Sequence, residues 1–133
     1  GKRIVLIDDS IVRGTTSLKI VQMMREAGAK EVHMRIASPP TKHSCFYGVD
    51  TPERTKLLAH KLDIGGMQEF IHADSLAFLS IEGLYKALGE AQRADIRPQY
   101  CDACFTGDYP TSLTDQDEAE VRDQLELLSE RVV

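Results

Sequence analysis

Two adjacent aspartates near the start of the chain, Asp8 and Asp9, are the residues whose types and spacing best suit ligand chemistry. Paired carboxylates accept hydrogen bonds from sugar hydroxyls and can bind Mg²⁺. The turn that follows offers groups that suit a phosphate, namely Ser10, Arg13, Gly14, Thr15 and Thr16. The stretch therefore predicts a site for a sugar phosphate, with hydroxyls or a metal at one end and the phosphate at the other.

The elements on either side of these residues would place them at one edge of a sheet. The apolar run before Asp8 does not alternate with polar residues, which predicts a parallel strand buried on both faces. Open α/β sheets bind ligands at the carboxyl ends of such strands. A helix is predicted from Thr16 to Ala27, with Thr15 or Thr16 as its N-cap, and its first N–H groups would favour a phosphate. An ordinary strand-to-helix connection is the alternative.

The rest of the chain repeats the alternation of strands and helices, which predicts an α/β fold with a parallel sheet. Strands are predicted over residues 31–38 and 74–80, although a continuous helix capped by Asp74 is an alternative for the second of them. His33 lies on the polar side of its strand and is interpreted as a solvated or capping residue. Helices are predicted over residues 52–60, 67–71, 81–89 and 115–131, with a loop over 98–111. Thr51 would cap the first of these helices, and Gly65-Gly66 would break the pattern before the second.

Composition narrows the class of protein. The chain has 133 residues, enough for one domain, and a net charge of −5, which argues against nucleic acid as a general partner. No apolar stretch approaches the roughly 20 residues of a membrane span. Because the sequence opens directly on a predicted central strand without an initiator Met, we expect it to be the C-terminal portion of a longer polypeptide.

Cysteine usage points to unpaired thiols. The chain has three cysteines, Cys45, Cys101 and Cys104, and an odd number is unsuited to a secreted disulfide framework. We therefore expect a cytoplasmic protein. The Cys101-x-x-Cys104 spacing would bring two sulfurs to one side of a loop. From the residues alone, a metal centre, a redox pair and inert thiols all remain open.

The run from Asp8 to Thr16 resembles the phosphoribosyl pyrophosphate (PRPP) loop of type I phosphoribosyltransferases, in the form found in the glutamine PRPP amidotransferase family. The resemblance implies that Asp8 and Asp9 hold the ribose hydroxyls and help to place Mg²⁺. It assigns the PRPP phosphate loop to Ser10, Arg13, Gly14, Thr15 and Thr16. For the fold, it implies the second half of the type I phosphoribosyltransferase sheet over residues 1–112. The periodicity of apolar residues predicts a C-terminal amphipathic helix over 113–133.

The cysteine segments, residues 45–50 and 101–107, are similar to the ligand segments of the iron–sulfur class of the same family. The resemblance implies a [4Fe–4S] cluster with three of its four ligands, Cys45, Cys101 and Cys104, in this chain. The fourth ligand would lie upstream of this sequence.

The implied activity is transfer of glutamine-derived ammonia to PRPP, giving 5-phosphoribosylamine in the first step of purine biosynthesis. The resemblance also implies a glutaminase domain in the same polypeptide, feedback inhibition by purine nucleotides and a homotetramer. It places no catalytic residue in this segment, which is expected to be inactive alone. A nucleobase phosphoribosyltransferase and a non-catalytic PRPP-sensing regulator are the alternatives.

Overall fold

The computed structural model describes residues 1–112. Strands alternate with helices along this part of the chain, and a single 3₁₀ turn, Arg54–Lys56, lies between the second strand and the second helix. The strands and helices are β1 (Arg3–Asp8), α1 (Thr15–Glu26), β2 (Glu31–Ile36), α2 (Leu58–Lys61), α3 (Ile64–Phe70), β3 (Ser75–Phe78), α4 (Ile81–Ala87) and α5 (Ala103–Thr106).

The strands described form one parallel sheet in the order β1-β2-β3. Leu6 pairs with Met34, and Met34 pairs with Leu76. The predicted α/β class and parallel sheet are therefore confirmed. The third strand is also confirmed over the alternative of one continuous helix, because residues 75–78 pair with β2. This parallel arrangement brings the carboxyl ends of β1 and β2 to the same edge.

Strand β1 is less buried than its sequence predicts. Ile4 and Leu6 pack against the core, whereas Val5 is 61% exposed and Ile7 is 79% exposed. The prediction of burial on both faces is wrong for the part of the chain that the structure describes, because its helices cover only one face of this strand.

The hydrophobic core lies between the sheet and the helices. It contains apolar residues from β2, such as Val32 and Met34, together with Val21 of α1. Ile11, from the loop after β1, is also part of this core. Burial of Ile11 anchors the loop that carries the predicted ligand-binding residues.

Several predicted helix boundaries are wrong. Helix α1 begins at Thr15 rather than Thr16, and its N-cap is Gly14, which makes no side-chain capping bond. Residues 52–60 do not form one helix, since the Thr51 hydroxyl accepts a hydrogen bond from the Cys45 N–H instead of capping it. The two glycines at 65 and 66 lie inside α3, which Asp63 caps by accepting a bond from Gly66 N–H.

The end of the described region also differs from the prediction in one place. Helix α4 begins after the N-cap Ser80 and ends near Gly89, as expected. The predicted loop over residues 98–111 contains one helical turn, α5, immediately after Asp102. The predicted helix over 115–131 lies outside the described residues. Among the helices of residues 1–112, none is long and apolar enough to cross a membrane.

Candidate functional site

The predicted ligand-binding residues meet in one cavity. It has a volume of about 430 Å³ and lies where β1 ends and α1 begins. Its lining is the unbroken run from Asp8 to Ser17, together with Asp50 and Pro52. Every residue predicted to contact PRPP is therefore on the wall of a single cavity.

The two aspartates supply negative charge and hydrogen-bond acceptors. Asp8 accepts a bond from the Asp9 N–H at 3.0 Å, and Asp9 accepts one from the Ser10 hydroxyl at 3.0 Å. Neither carboxylate forms a salt bridge with another residue of the described range. Because a carboxylate has about four acceptor positions, most of their capacity is available to a ligand.

The opposite end of the run forms the start of α1. Gly14 has a φ of 77°, and the helix has no acidic residue in its first turn. The first N–H groups of this 12-residue helix therefore carry a partial positive charge that no side-chain cap satisfies. Arg13, Thr15 and Thr16 are exposed beside them. Such an arrangement favours an anion.

Packing explains why the turn needs glycine. A Cβ at Gly14 would lie 2.5 Å from Leu58 Cδ2 and 2.9 Å from Phe70 Cε1. The same loop is held to α2 by a bond from Leu58 N–H to the Val12 carbonyl, at 2.8 Å. The turn is therefore fixed by the core beneath it.

Sequence reasoning missed Asp50 and Pro52 as cavity residues. They follow β2 in the chain, and the carboxyl end of β2 shares an edge with that of β1. The sequence did contain a signal for Asp50 and Pro52, because they follow a strand that ends at the same edge of the sheet as β1. The Asp50-Thr51-Pro52 sequence suggests a helix start instead. The segment is held by two short bonds: Cys45 N–H donates to Thr51 Oγ1 at 2.7 Å, and Ser44 Oγ donates to the Pro52 carbonyl at 2.9 Å.

The predicted cluster ligands lie on two adjoining loops. The Cys104 carbonyl accepts bonds from the N–H groups of Lys42 and His43, both at 3.0 Å. All three cysteines are free thiols; Cys101 is exposed, and Cys45 and Cys104 are half-buried. Burial, with added repulsion from the thiolates of Cys45 and Cys101, raises the pKa of Cys104.

These thiols do not converge as ligands of a single metal ion. Within residues 1–112, no three metal-ligating side chains are placed to hold one ion. The thiols are nevertheless close enough to influence one another electrostatically. Thiols are the donors that hold iron–sulfur clusters, which commonly have four such ligands, and this chain has three cysteines.

His33 is not placed as a metal ligand. Its Nδ1 lies 2.8 Å from Ser75 Oγ, and its Nε2 lies 3.1 Å from Glu31 Oε2. Both ring nitrogens therefore have partners on the sheet, far along the strands from the cavity.

Comparison with known proteins gives consistent matches. No protein-family model matches the chain. An amidophosphoribosyltransferase of Rhizobium etli is 58% identical over 130 residues, which cover 97% of this chain and 26% of that protein. The amidophosphoribosyltransferase of Bacillus subtilis is 53% identical over 113 residues, covering 85% of this chain and 24% of that protein. The chain thus spans about a quarter of the length of these relatives.

Two solved structures match the fold. Glutamine PRPP amidotransferase from B. subtilis, complexed with ADP and GMP, matches with a TM-score of 0.76 and 53% identity over 85% of this chain and 25% of that one. A structure described as the allosteric regulatory enzyme of purine biosynthesis matches with a TM-score of 0.74 and 51% identity over 85% of this chain and 24% of that one. The sequence identities and the structural matches point to the same proteins. The chain is therefore homologous to one segment of the amidophosphoribosyltransferases.

Proposed function

We propose that this chain is the PRPP-binding segment of an amidophosphoribosyltransferase, which transfers glutamine-derived ammonia to C1 of PRPP in the first step of purine biosynthesis. The observation that carries the proposal is the cavity lined by residues 8–17, a run with two carboxylates at its start and a helix N-terminus at its other end. PRPP carries vicinal hydroxyls and a 5′-phosphate, which match these two ends.

Each end of the cavity has a defined task. The carboxylates of Asp8 and Asp9 accept hydrogen bonds from the ribose hydroxyls, and the N–H groups at the start of α1 bind the 5′-phosphate with Ser10, Arg13, Thr15 and Thr16. Holding both ends of the sugar fixes the position of C1 relative to the attacking ammonia. Such positioning removes much of the entropic cost of bringing two reactants together.

Magnesium suits the same carboxylates. Mg²⁺ keeps several waters and is usually bound by one or two carboxylates together with substrate phosphates, so Asp8 and Asp9 are a sufficient protein donor set. When bound, the ion would stabilise negative charge on the departing pyrophosphate. The described residues hold the sugar; the glutaminase activity belongs to another part of the polypeptide.

We further propose that Cys45, Cys101 and Cys104 hold three corners of a [4Fe–4S] cluster. The supporting observations are the free thiols and the backbone bonds that join their two loops. The same free thiols support a cytoplasmic location. A homotetramer and a domain portion over residues 1–112 complete the proposal; the helix predicted over 113–133 lies outside the described residues.

Purine nucleotides are proposed as competing ligands of the cavity. A nucleoside monophosphate carries the same ribose 5-phosphate as PRPP, so both would use the carboxylates and the α1 N-terminus. The B. subtilis relative was solved in complex with ADP and GMP, which is consistent with nucleotide binding.

The test compares two charge-matched double variants of the full-length polypeptide. Asp8→Asn with Asp9→Asn should weaken PRPP binding about 100-fold or more, because hydrogen bonds to charged groups contribute about 1.5–3 kcal/mol each. Glu69→Gln with Asp95→Asn removes the same charge from exposed positions outside the cavity and should leave affinity unchanged. Isothermal titration calorimetry measures both, and unchanged affinity in the first variant would refute the site.

The reaction is tested by release of pyrophosphate from PRPP. Release that depends on glutamine or ammonia supports the proposed activity. Release that depends on an added purine or pyrimidine base would identify a nucleobase phosphoribosyltransferase instead. PRPP binding without turnover under any of these conditions would identify a PRPP sensor.

A further inference from the structure

A buried carboxylate lies between the two cysteines of the Cys101-x-x-Cys104 turn. Asp102 is only 3% exposed, although Cys101 immediately before it is exposed. An ionised group at such a position is costly unless it is fully paired. Its partners therefore indicate what the turn is built to do.

The Asp102 carboxylate has its acceptor positions filled. Oδ2 accepts from Arg93 Nε at 2.6 Å and from the Tyr85 hydroxyl at 3.0 Å. Oδ1 accepts from Arg93 Nη2 and from the Thr106 hydroxyl, both at 3.2 Å. The Arg93 guanidinium contact is bidentate, a geometry that fixes the orientation of the carboxylate as well as stabilising it.

The position of Asp102 at the start of α5 makes this use of its side chain unusual. Aspartate at an N-cap commonly accepts a bond from an N–H of its own helix, but Asp102 makes no side-chain capping bond. Its carboxylate instead bonds the side chains of Arg93, Tyr85 and Thr106. The backbone between the two cysteines is thus attached to α4 and to the segment that follows it.

The attachment extends to the third thiol. The Cys104 carbonyl accepts bonds from the N–H groups of Lys42 and His43, both at 3.0 Å, on the loop that leads to Cys45. Fixing the Cys101–Cys104 turn therefore also fixes one end of the Cys45 loop. These contacts connect α4 through Asp102 to the Cys101–Cys104 turn, and from Cys104 to the loop that leads to Cys45.

We propose that Asp102, clamped by Arg93 and Tyr85, is a positioning residue that presets the three thiols before the cluster is inserted. This inference rests on the proposed iron–sulfur site for the identity of the ligand, whereas the preset geometry of the thiols is a property of the chain itself. Outer partners of metal ligands commonly alter metal affinity about 10- to 100-fold.

The structure supplies a matched control. Arg93 also donates to Asp108 at 2.6 Å, the same length as its bond to Asp102, but Asp108 is exposed and lies beyond the cysteine turn. Asp108→Asn removes one charge partner of Arg93 and leaves the turn attached. Asp102→Asn removes the other partner and releases the turn.

The experiment uses full-length protein prepared anaerobically in metal-free and iron–sulfide-reconstituted forms. In metal-free protein, alkylation of each cysteine by iodoacetamide is followed by peptide mass spectrometry. Asp102→Asn should raise the alkylation rate at Cys104 about 10-fold over wild type, whereas Asp108→Asn should keep this ratio of variant to wild-type rate within about twofold. In reconstituted protein treated with an iron chelator, the visible absorption of the cluster should decay faster in Asp102→Asn than in wild type, and at the wild-type rate in Asp108→Asn.

An alkylation rate at Cys104 that is the same in Asp102→Asn as in wild type, or equal effects of the two variants, would overturn the proposal. If Asp102→Asn does not fold, Tyr85→Phe decides, because it removes only the hydroxyl that donates to Asp102 and to the Tyr100 carbonyl. An unchanged Cys104 ratio in that variant would also overturn the proposal. Wild-type protein that takes up neither iron nor sulfide would refute the cluster while the alkylation ratios still test the positioning.

Discussion

Replacing Gly14 with alanine tests whether the phosphate turn is fixed by backbone conformation and packing together. Gly14 has a φ of 77°, and a non-glycine residue in this left-handed region costs about 1–2 kcal/mol. The added Cβ would also lie 2.5 Å from Leu58 Cδ2. Leu58 is 4% exposed and cannot swing aside freely, so overpacking should add about 1–3 kcal/mol. The total expected loss of unfolding free energy is about 2–5 kcal/mol.

Gly89→Ala separates the two contributions. Gly89 has a φ of 89°, but no atom lies within 4 Å of a Cβ built there. This variant should lose only the conformational part, about 1–2 kcal/mol. The difference between Gly14→Ala and Gly89→Ala therefore measures the packing part, about 1–3 kcal/mol.

Urea denaturation of the full-length protein, followed by circular dichroism, gives the two free energies. Calorimetric titration with PRPP should show weaker binding for Gly14→Ala, because the turn that presents the α1 N–H groups must shift, and unchanged binding for Gly89→Ala. Equal destabilisation of the two variants would refute the packing argument. Normal PRPP affinity in Gly14→Ala would show that the turn's backbone does not set the phosphate position.

Two further predictions concern stability. Asp63→Ala should cost about 1 kcal/mol by removing the N-cap bond to Gly66 N–H, and a urea titration with no change of midpoint would contradict it. The Val32 N–H and then the Arg25 guanidinium hold the pKa of Asp74 below its ordinary value, although partial burial opposes them. Because the folded-state pKa is the lower one, this stabilisation is present above the unfolded pKa of about 3.9 and is lost as pH falls through the folded pKa. Asp74→Asn should therefore be less stable than wild type at pH 7, with the gap between their urea midpoints narrowing in acid; a gap independent of pH would exclude this linkage.

The cavity could be predicted because its signals are local in sequence. An apolar run, two acids, a glycine and two threonines occur within 14 consecutive positions, Arg3 to Thr16, and chain connectivity alone brings them together. The parallel sheet was predictable for a related reason, since a strand, a helix and a strand at this spacing leave few alternatives.

Other features depend on contacts between distant residues. Thr51 would cap a helix if only its neighbours mattered, but it bonds the Cys45 N–H, six positions earlier. The Asp102 carboxylate finds its partners 9 and 17 positions away, at Arg93 and Tyr85. Hydrogen bonds between distant residues leave no periodic pattern in the sequence. For that reason the helix over 52–60 was predicted wrongly, and the contacts of Asp102 with Arg93 and Tyr85 were not predicted at all.

The uncovered side of β1 has a practical consequence for handling this polypeptide. Val5 and Ile7 project from a strand at the border of the described sheet, and a border strand with bare aliphatic side chains is a template for pairing between molecules. A preparation of residues 1–112 alone would self-associate as its concentration rises. Charged substitutions at these two positions are the changes that would keep such a preparation monomeric.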